Sequence, residues 1–110
     1  MIFPRSPVIY VASAPVDLRW GLDKLASLVV ERFRLGPRDG AFFLFLNKTR
    51  TKLRVLHFDK TGAWLLSKRL DRGTFPQPLA LRADATHVEL SVEELDLLLQ
   101  GLAEKPVVRH

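Results

Sequence analysis

The sequence predicts an α+β fold: an antiparallel sheet packed by one long helix and one short C-terminal helix. Three observations carry this. Residues 41–70 hold three apolar or β-branched runs separated by turn chemistry. Residues 18–33 carry one apolar stripe of 3.6-residue period, and residues 95–102 carry a shorter one. Strands grouped in a run, with helices outside it, belong to α+β rather than alternating α/β architecture.

Each element follows in order. Pro4 and Pro7 mark an irregular start. Val8-Ile9-Tyr10-Val11-Ala12 is β-branched and apolar and reads as an N-terminal strand, broken by Ser13-Ala14-Pro15. Asp17 is placed to cap a helix over about 17–34, whose stripe is Leu18, Leu22, Leu25, Ala26, Val29 and Phe33. Gly21 costs about 1 kcal/mol against Ala inside a helix, which suggests close backbone approach. Gly36-Pro37-Arg38-Asp39-Gly40 ends this helix and turns the chain.

The three-strand meander over about 41–70 comes next. Ala41-Phe42-Phe43-Leu44-Phe45-Leu46 is apolar throughout, as in a central strand covered on both faces. Leu53 to Phe58 and Ala63 to Leu70 form the other two strands, joined by Asp59-Lys60-Thr61-Gly62, a type I turn pattern. Core packing is the expectation for Trp64, and surface or interface for Trp20. Pro76 and Pro78 make the next stretch irregular, and Thr86 to Leu90 reads as a short edge strand. Ser91 and Glu94 make a capping box for the helix at about 91–102, with Leu95, Leu98, Leu99 and Leu102 on one face. Residues 1–110 read as one domain, with 1–7 and 104–110 as irregular tails.

Composition narrows the function. The 110 residues contain no cysteine, which excludes disulfide scaffolds, thiol catalysis and Cys-ligated zinc. No apolar run reaches the roughly 18 residues of a membrane helix, and the N-terminus lacks a signal-peptide pattern. A cytoplasmic protein without membrane association is expected.

The net charge is +5, and it is local. Lys48, Arg50, Lys52, Arg54, Lys60, Lys68, Arg69 and Arg72 stand against Asp59 and Asp71, giving +6 within 25 residues, while the rest of the chain carries −1. If the hairpin arms remain extended, the alternating Lys48, Arg50, Lys52 and Arg54 share one face of a basic ribbon. Such a ribbon fits a duplex groove or a phosphate backbone, with Asn47 and Thr49 adding hydrogen bonds. The bland reading is that turn tips are rich in Lys and Arg for solubility. From Asp84 to Glu104 the charged residues are all acidic. The Leu-faced helix there docks a partner or, more simply, closes the core.

A catalytic constellation is missing. His57, His87 and His110 lack metal-ligand spacing, and neither a nucleophile elbow nor a Gly-rich phosphate loop is present. The expectation is no enzyme activity, no metal and no cofactor.

Several segments resemble one known family, in order and with near-native spacing over about 8–102. Pro15-Val16-Asp17-Leu18-Arg19-Trp20-Gly21-Leu22-Asp23-Lys24-Leu25 is similar to the "TDMRKGFDGL" segment of the small accessory protein, usually called TnpB, of IS-sixty-six-type insertion sequences. This is not the far larger RNA-guided nuclease of the same name. Leu35 to Phe45 resembles "DPFSGxLFVF", Lys52 to Gly62 resembles "DRIKVLxWDGDG", and Lys68 to Pro76 resembles "KRLExGRFxWP". The family's Lys before Gly is Trp20 here, its late Trp positions are replaced, and its "RNRRGD" turn becomes Leu46-Asn47-Lys48-Thr49-Arg50-Thr51, without the Gly.

The resemblance implies a non-catalytic accessory protein for DNA transposition, acting beside a separate transposase encoded by the same element. Joined to the charge pattern, it yields the expected function: electrostatic DNA binding through Lys48, Arg50, Lys52 and Arg54, with Lys68, Arg69 and Arg72 beside them. The family-motif residues Asp17, Arg19 and Gly21 carry no assigned role. The alternative is a protein–protein adaptor that docks the transposase without touching DNA. Self-association is left open.

Overall fold

The computed structural model describes residues 7–77 and 85–101. Its strands are β1 (Ile9–Ala12), β2 (Phe42–Leu46), β3 (Lys52–Phe58), β4 (Ala63–Arg69) and β5 (His87–Leu90). They form one sheet in the order β4-β3-β2-β1-β5. Helix α1 covers Leu22–Leu28 and continues as π-helical turns over Val29–Phe33, and α2 covers Val92–Gln100. The expected tails fall outside the described residues, apart from residue 7.

The fold is α+β and the expected meander is present, but the sheet is mixed rather than antiparallel. β2, β3 and β4 pair antiparallel, as does β1 with β5, whereas β1 and β2 run parallel. The cause is the α1 crossover: a chain that leaves β1, passes through a helix and returns beside the same strand arrives in the same direction. β2 thereby becomes the central strand, and all five of its residues are buried.

The expected contrast between a long and a short helix is absent. Residues 17–20 stay out of the helix because Asp17 spends its carboxylate elsewhere: Oδ1 accepts from the Arg19 backbone N–H at 3.0 Å. This Asx turn, closed by the Trp20 N–H on the Asp17 carbonyl at 3.1 Å, competes with helical hydrogen bonding. Gly21 is the N-cap instead, in extended conformation. Nothing lies within 4 Å of a Cβ built at Gly21, so close backbone approach does not explain the glycine. The other end stops at Arg34, whose φ of 59° is left-handed. At α2 the capping box is formed as expected: Ser91 Oγ accepts from the Glu94 N–H at 3.1 Å, and Glu94 Oε1 from the Ser91 N–H at 2.8 Å.

Alternation along the strands divides the core between two faces. On the α1 face, Phe43, Phe45, Leu56 and Phe58 meet Leu25, Val29 and Phe33. Phe33 stacks on Phe45 with ring centroids 6.1 Å apart. On the other face, Phe42, Leu44, Leu46 and Leu53 meet Phe75 and Leu98. His57, on this second face, is buried flat against Phe42 with centroids 3.9 Å apart, and so is a packing residue. Leu98, with Leu95 and Leu99 partly buried beside it, therefore closes the core, as the simpler reading of that helix holds; Leu102 lies outside the described residues.

Candidate nucleic-acid interface

The predicted ribbon does not form as one face. β2 ends at Leu46 and β3 starts at Lys52, so 47–51 is a turn rather than two extended arms. Asn47 organises it. Its Oδ1 accepts from the N–H groups of Thr51 (2.9 Å) and Lys52 (3.0 Å), and its Nδ2 donates to Thr49 and Thr51 hydroxyls at 3.2 and 3.3 Å. These bonds occupy the Asn47 and Thr49 groups that were expected to reach toward DNA.

Arg50 sits at φ 56°, the position where the similar family turn carries Gly. A left-handed residue costs roughly 1–2 kcal/mol for a non-glycine side chain. The Arg50 side chain offsets that cost: Nε donates to the Phe75 carbonyl at 3.1 Å and a terminal nitrogen to Gln77 Oε1 at 2.8 Å. In return the Phe75 N–H donates to the Arg50 carbonyl at 2.7 Å. Arg50 thus fastens the segment after β4 to the turn and drops out of the alternating row.

Two other predicted cations are also engaged. Arg54 donates to Ser67 Oγ at 3.0 Å on β4 and to the Trp20 carbonyl at 3.2 Å. Lys68 Nζ donates to the Leu99 carbonyl at 2.8 Å, where a positive charge suits the C-terminal end of α2. The remaining four, Lys48, Lys52, Arg69 and Arg72, are exposed and make no ion pair among the described residues. Lys52 and Arg69 stand directly opposite on β3 and β4, sharing the α1 face.

The structure joins Asp17 and Arg19 to this group. The Val16 N–H donates to the Leu46 carbonyl at 2.9 Å and pins the loop before α1 against the end of β2. A groove of about 460 Å³ results, lined by Asp17, Arg19, Lys48, Thr49 and Lys52 among others. A second groove of about 210 Å³, lined by Ser13, Ala14, Arg50 and Gln77, lies on the other side of Lys48. Lys48 thus stands between two clefts.

The ion-pair partner of Arg19 is Asp17, two residues away. The guanidinium NH2 is 2.8 Å from Asp17 Oδ2, with Nε at 3.0 Å from Oδ1. This hydrogen bond, with the Arg19 backbone N–H, holds the Asp17 carboxyl at about 2. It is the only ion pair among the described residues. No local signal reveals that Arg19 and Lys48 share a groove, because the chain between them must first cross the sheet.

Trp64 departs from the expected core position. It is 38% exposed, and its indole N–H donates to Asp59 Oδ2 at 2.8 Å. That bond, with the Thr61 and Gly62 N–H groups, lowers the Asp59 carboxyl to about 2. Trp20 is half-buried against the α1-face core, with Lys24 Nζ 4.7 Å from its ring centroid. Among the described residues no helix is long and apolar enough to cross a membrane.

Known proteins place the chain. A family model described as "IS66 Orf2 like protein" matches residues 7–109. The chain is 35% identical over 94 residues to "Uncharacterized protein y4hO" of Sinorhizobium fredii, covering 86% of this chain and 79% of the relative. It is 37% identical over 115 aligned positions to "Uncharacterized protein y4jC" of the same bacterium, covering 99% and 96%. No solved structure matches. The ordered motif resemblance and the full-length match agree: the chain belongs to the IS66 Orf2-like family, accessory proteins of insertion sequences.

Proposed function

We propose that this chain is a non-catalytic accessory protein of DNA transposition that binds DNA electrostatically at the β2–β3 turn end of the sheet. The observation that supports this reading most is that four cations of this surface have no ion-pair partner among the described residues, the Asp17 carboxylate of the groove being held by Arg19. Lys48, Lys52, Arg69 and Arg72 make no ion pair among the described residues. Unpaired cations, of which Lys48 and Lys52 line the groove, attract phosphate oxygens and release counterions when they bind. Arg50, Arg54 and Lys68 support the surface by holding its turn and strands and add little direct contact. The DNA contact is to the backbone rather than to bases, because the hydrogen-bonding side chains of the turn are already used within it.

Salt titration of binding to a short duplex tests this. Four phosphate contacts predict a log K against log salt slope of about −3 to −4. Lys48→Ala with Lys52→Ala lowers affinity and makes the slope shallower by roughly two units, in line with two lost contacts. Absence of binding at low salt, or affinity unchanged in the double variant, overturns the proposal and leaves the adaptor that docks the transposase directly.

A further inference from the structure

The outer edge of β4 is built unlike the other edge of the sheet. β4 is the outermost strand, so its outward N–H and C=O groups have no ladder partner among the described residues. Exposed edges of this kind are usually blunted by proline, a bulge, a short length or a charge in the middle of the strand. β4 has none of these. It is seven residues long, contains no proline, and pairs one-to-one with β3 from Phe58↔Ala63 to Lys52↔Arg69 without a bulge. Its charges are confined to the last two positions, Lys68 and Arg69. The opposite edge, β5, has four residues and carries Glu89 exposed in its interior.

The side chains point the same way. Trp64 and Leu66 alternate on one face of β4 and are 38% and 44% exposed. The polar end of Trp64 is already satisfied by Asp59, so the ring offers apolar surface. An uncapped strand edge with large apolar side chains on one face is suited to strand addition.

We propose that β4 pairs antiparallel with β4 of a second copy of this chain, about a two-fold axis through Leu66. This register is the one that pairs all seven residues, Ala63 opposite Arg69 and Leu66 opposite its own symmetry mate. It matches even-numbered residues with even-numbered ones, so each face of one sheet continues into the same face of the other. Trp64 then meets Lys68 of the second copy, whose aliphatic stem offers apolar surface to the indole ring while its ammonium stays on the Leu99 carbonyl of its own chain. The terminal charges of the two strands lie at opposite ends of the pair, which limits their repulsion. The interface is isologous and closes as a ten-stranded dimer rather than a filament.

The test is independent of DNA. Sedimentation equilibrium of the full chain at tens of micromolar shows a dimer. Leu66→Lys, an exposed substitution, gives a monomer with unchanged far-ultraviolet circular dichroism. The chain has no cysteine, so single-thiol variants report register. Opposed residues of an antiparallel pair lie about 4.5–5.5 Å apart at Cα, within disulfide reach. Leu66→Cys therefore forms a covalent dimer on treatment with diamide. Trp64→Cys does not, because its symmetry mate is displaced by four residues, about 13 Å. A monomer at about 100 μM, a dimer unaffected by Leu66→Lys, covalent coupling through Trp64→Cys but not Leu66→Cys, or open-ended polymers from β4 joining β5 would each overturn the proposal.

Discussion

β2 and β4 belong to one sheet, separated only by β3, and both begin as apolar runs in the sequence. In β2, Phe42–Leu46, every residue is buried. In β4, Ala63–Arg69, none is, and Leu65 alone is even half-buried. The difference lies in neighbours: β2 has strands on both sides, α1 on one face and Phe75 with Leu98 on the other. The lesson is that an apolar run reports a strand, whereas burial depends on its rank in the sheet.

Core truncation tests this contrast most strongly. Phe45, 0% exposed, should lose about 3–5 kcal/mol of stability on replacement by Ala, read from the shift in a urea midpoint. Leu66→Ala, measured at low micromolar concentration, should cost less than about 1 kcal/mol. Equal losses would remove the distinction.

The turn between β2 and β3 offers a finer test. Arg50→Ala removes the clip to Phe75 and Gln77 but keeps the left-handed backbone, and should cost about 1–3 kcal/mol. Arg50→Gly removes the same clip and relieves the backbone, so it should be about 1 kcal/mol more stable than the Ala variant. Lys48→Ala, on the same turn and without an ion pair among the described residues, should leave stability within about 0.5 kcal/mol while weakening DNA binding. Thermal melts of the three variants, set beside their DNA affinities, separate clip from contact.

A smaller effect concerns the cap of α2. Ser91→Ala should cost about 1 kcal/mol, and Thr at the same site should restore most of it, as melting temperatures will show.

Acid provides a test at the β1–β5 edge. His87 lies against Tyr10 and Phe33, and burial lowers its pKa below the ordinary 6.5. The unfolded chain therefore binds this proton more readily than the folded one. Stability should be full above about 6.5, fall as pH drops toward the lowered folded value, and show no further His87 loss below it. His87→Phe should flatten that part of the profile in urea titrations at pH 5 to 7.

The least disruptive test returns to β4. Trp64→Phe should raise the Asp59 pKa from about 2 toward 3.8, followed by carboxyl NMR titration, with the fold intact.

Local chemistry made most elements legible. The meander, the N-terminal strand, the Asp59–Gly62 connection and the Ser91 capping box all follow from periodicity and turn residues within a few positions. The helix start was misplaced because Asp17 is chemically suited to two local roles, capping a helix or closing an Asx turn, and Arg19 favours the second. Trp64 was misplaced because its burial depends on a neighbouring strand that the sheet does not supply. The candidate DNA site was legible as a count of charges, but not as a list of contacts. Arg50 and Lys48 look alike in sequence, yet one is committed to Phe75 and Gln77 and the other lines two grooves with no ion pair among the described residues.

The sequence by itself determined the strands and helices, the excess positive charge between Lys48 and Arg72, and the family, because these depend on residue order and short-range physics. Tertiary structure alone decided the parallel pairing of β1 with β2, the groove that Arg19 shares with Lys48 and Lys52, and the outermost place of β4 among the described strands. Each depends on how distant segments stack, and that is set by closing two faces of one sheet together. The charge excess accordingly divides into cations that hold the fold and cations left facing solvent.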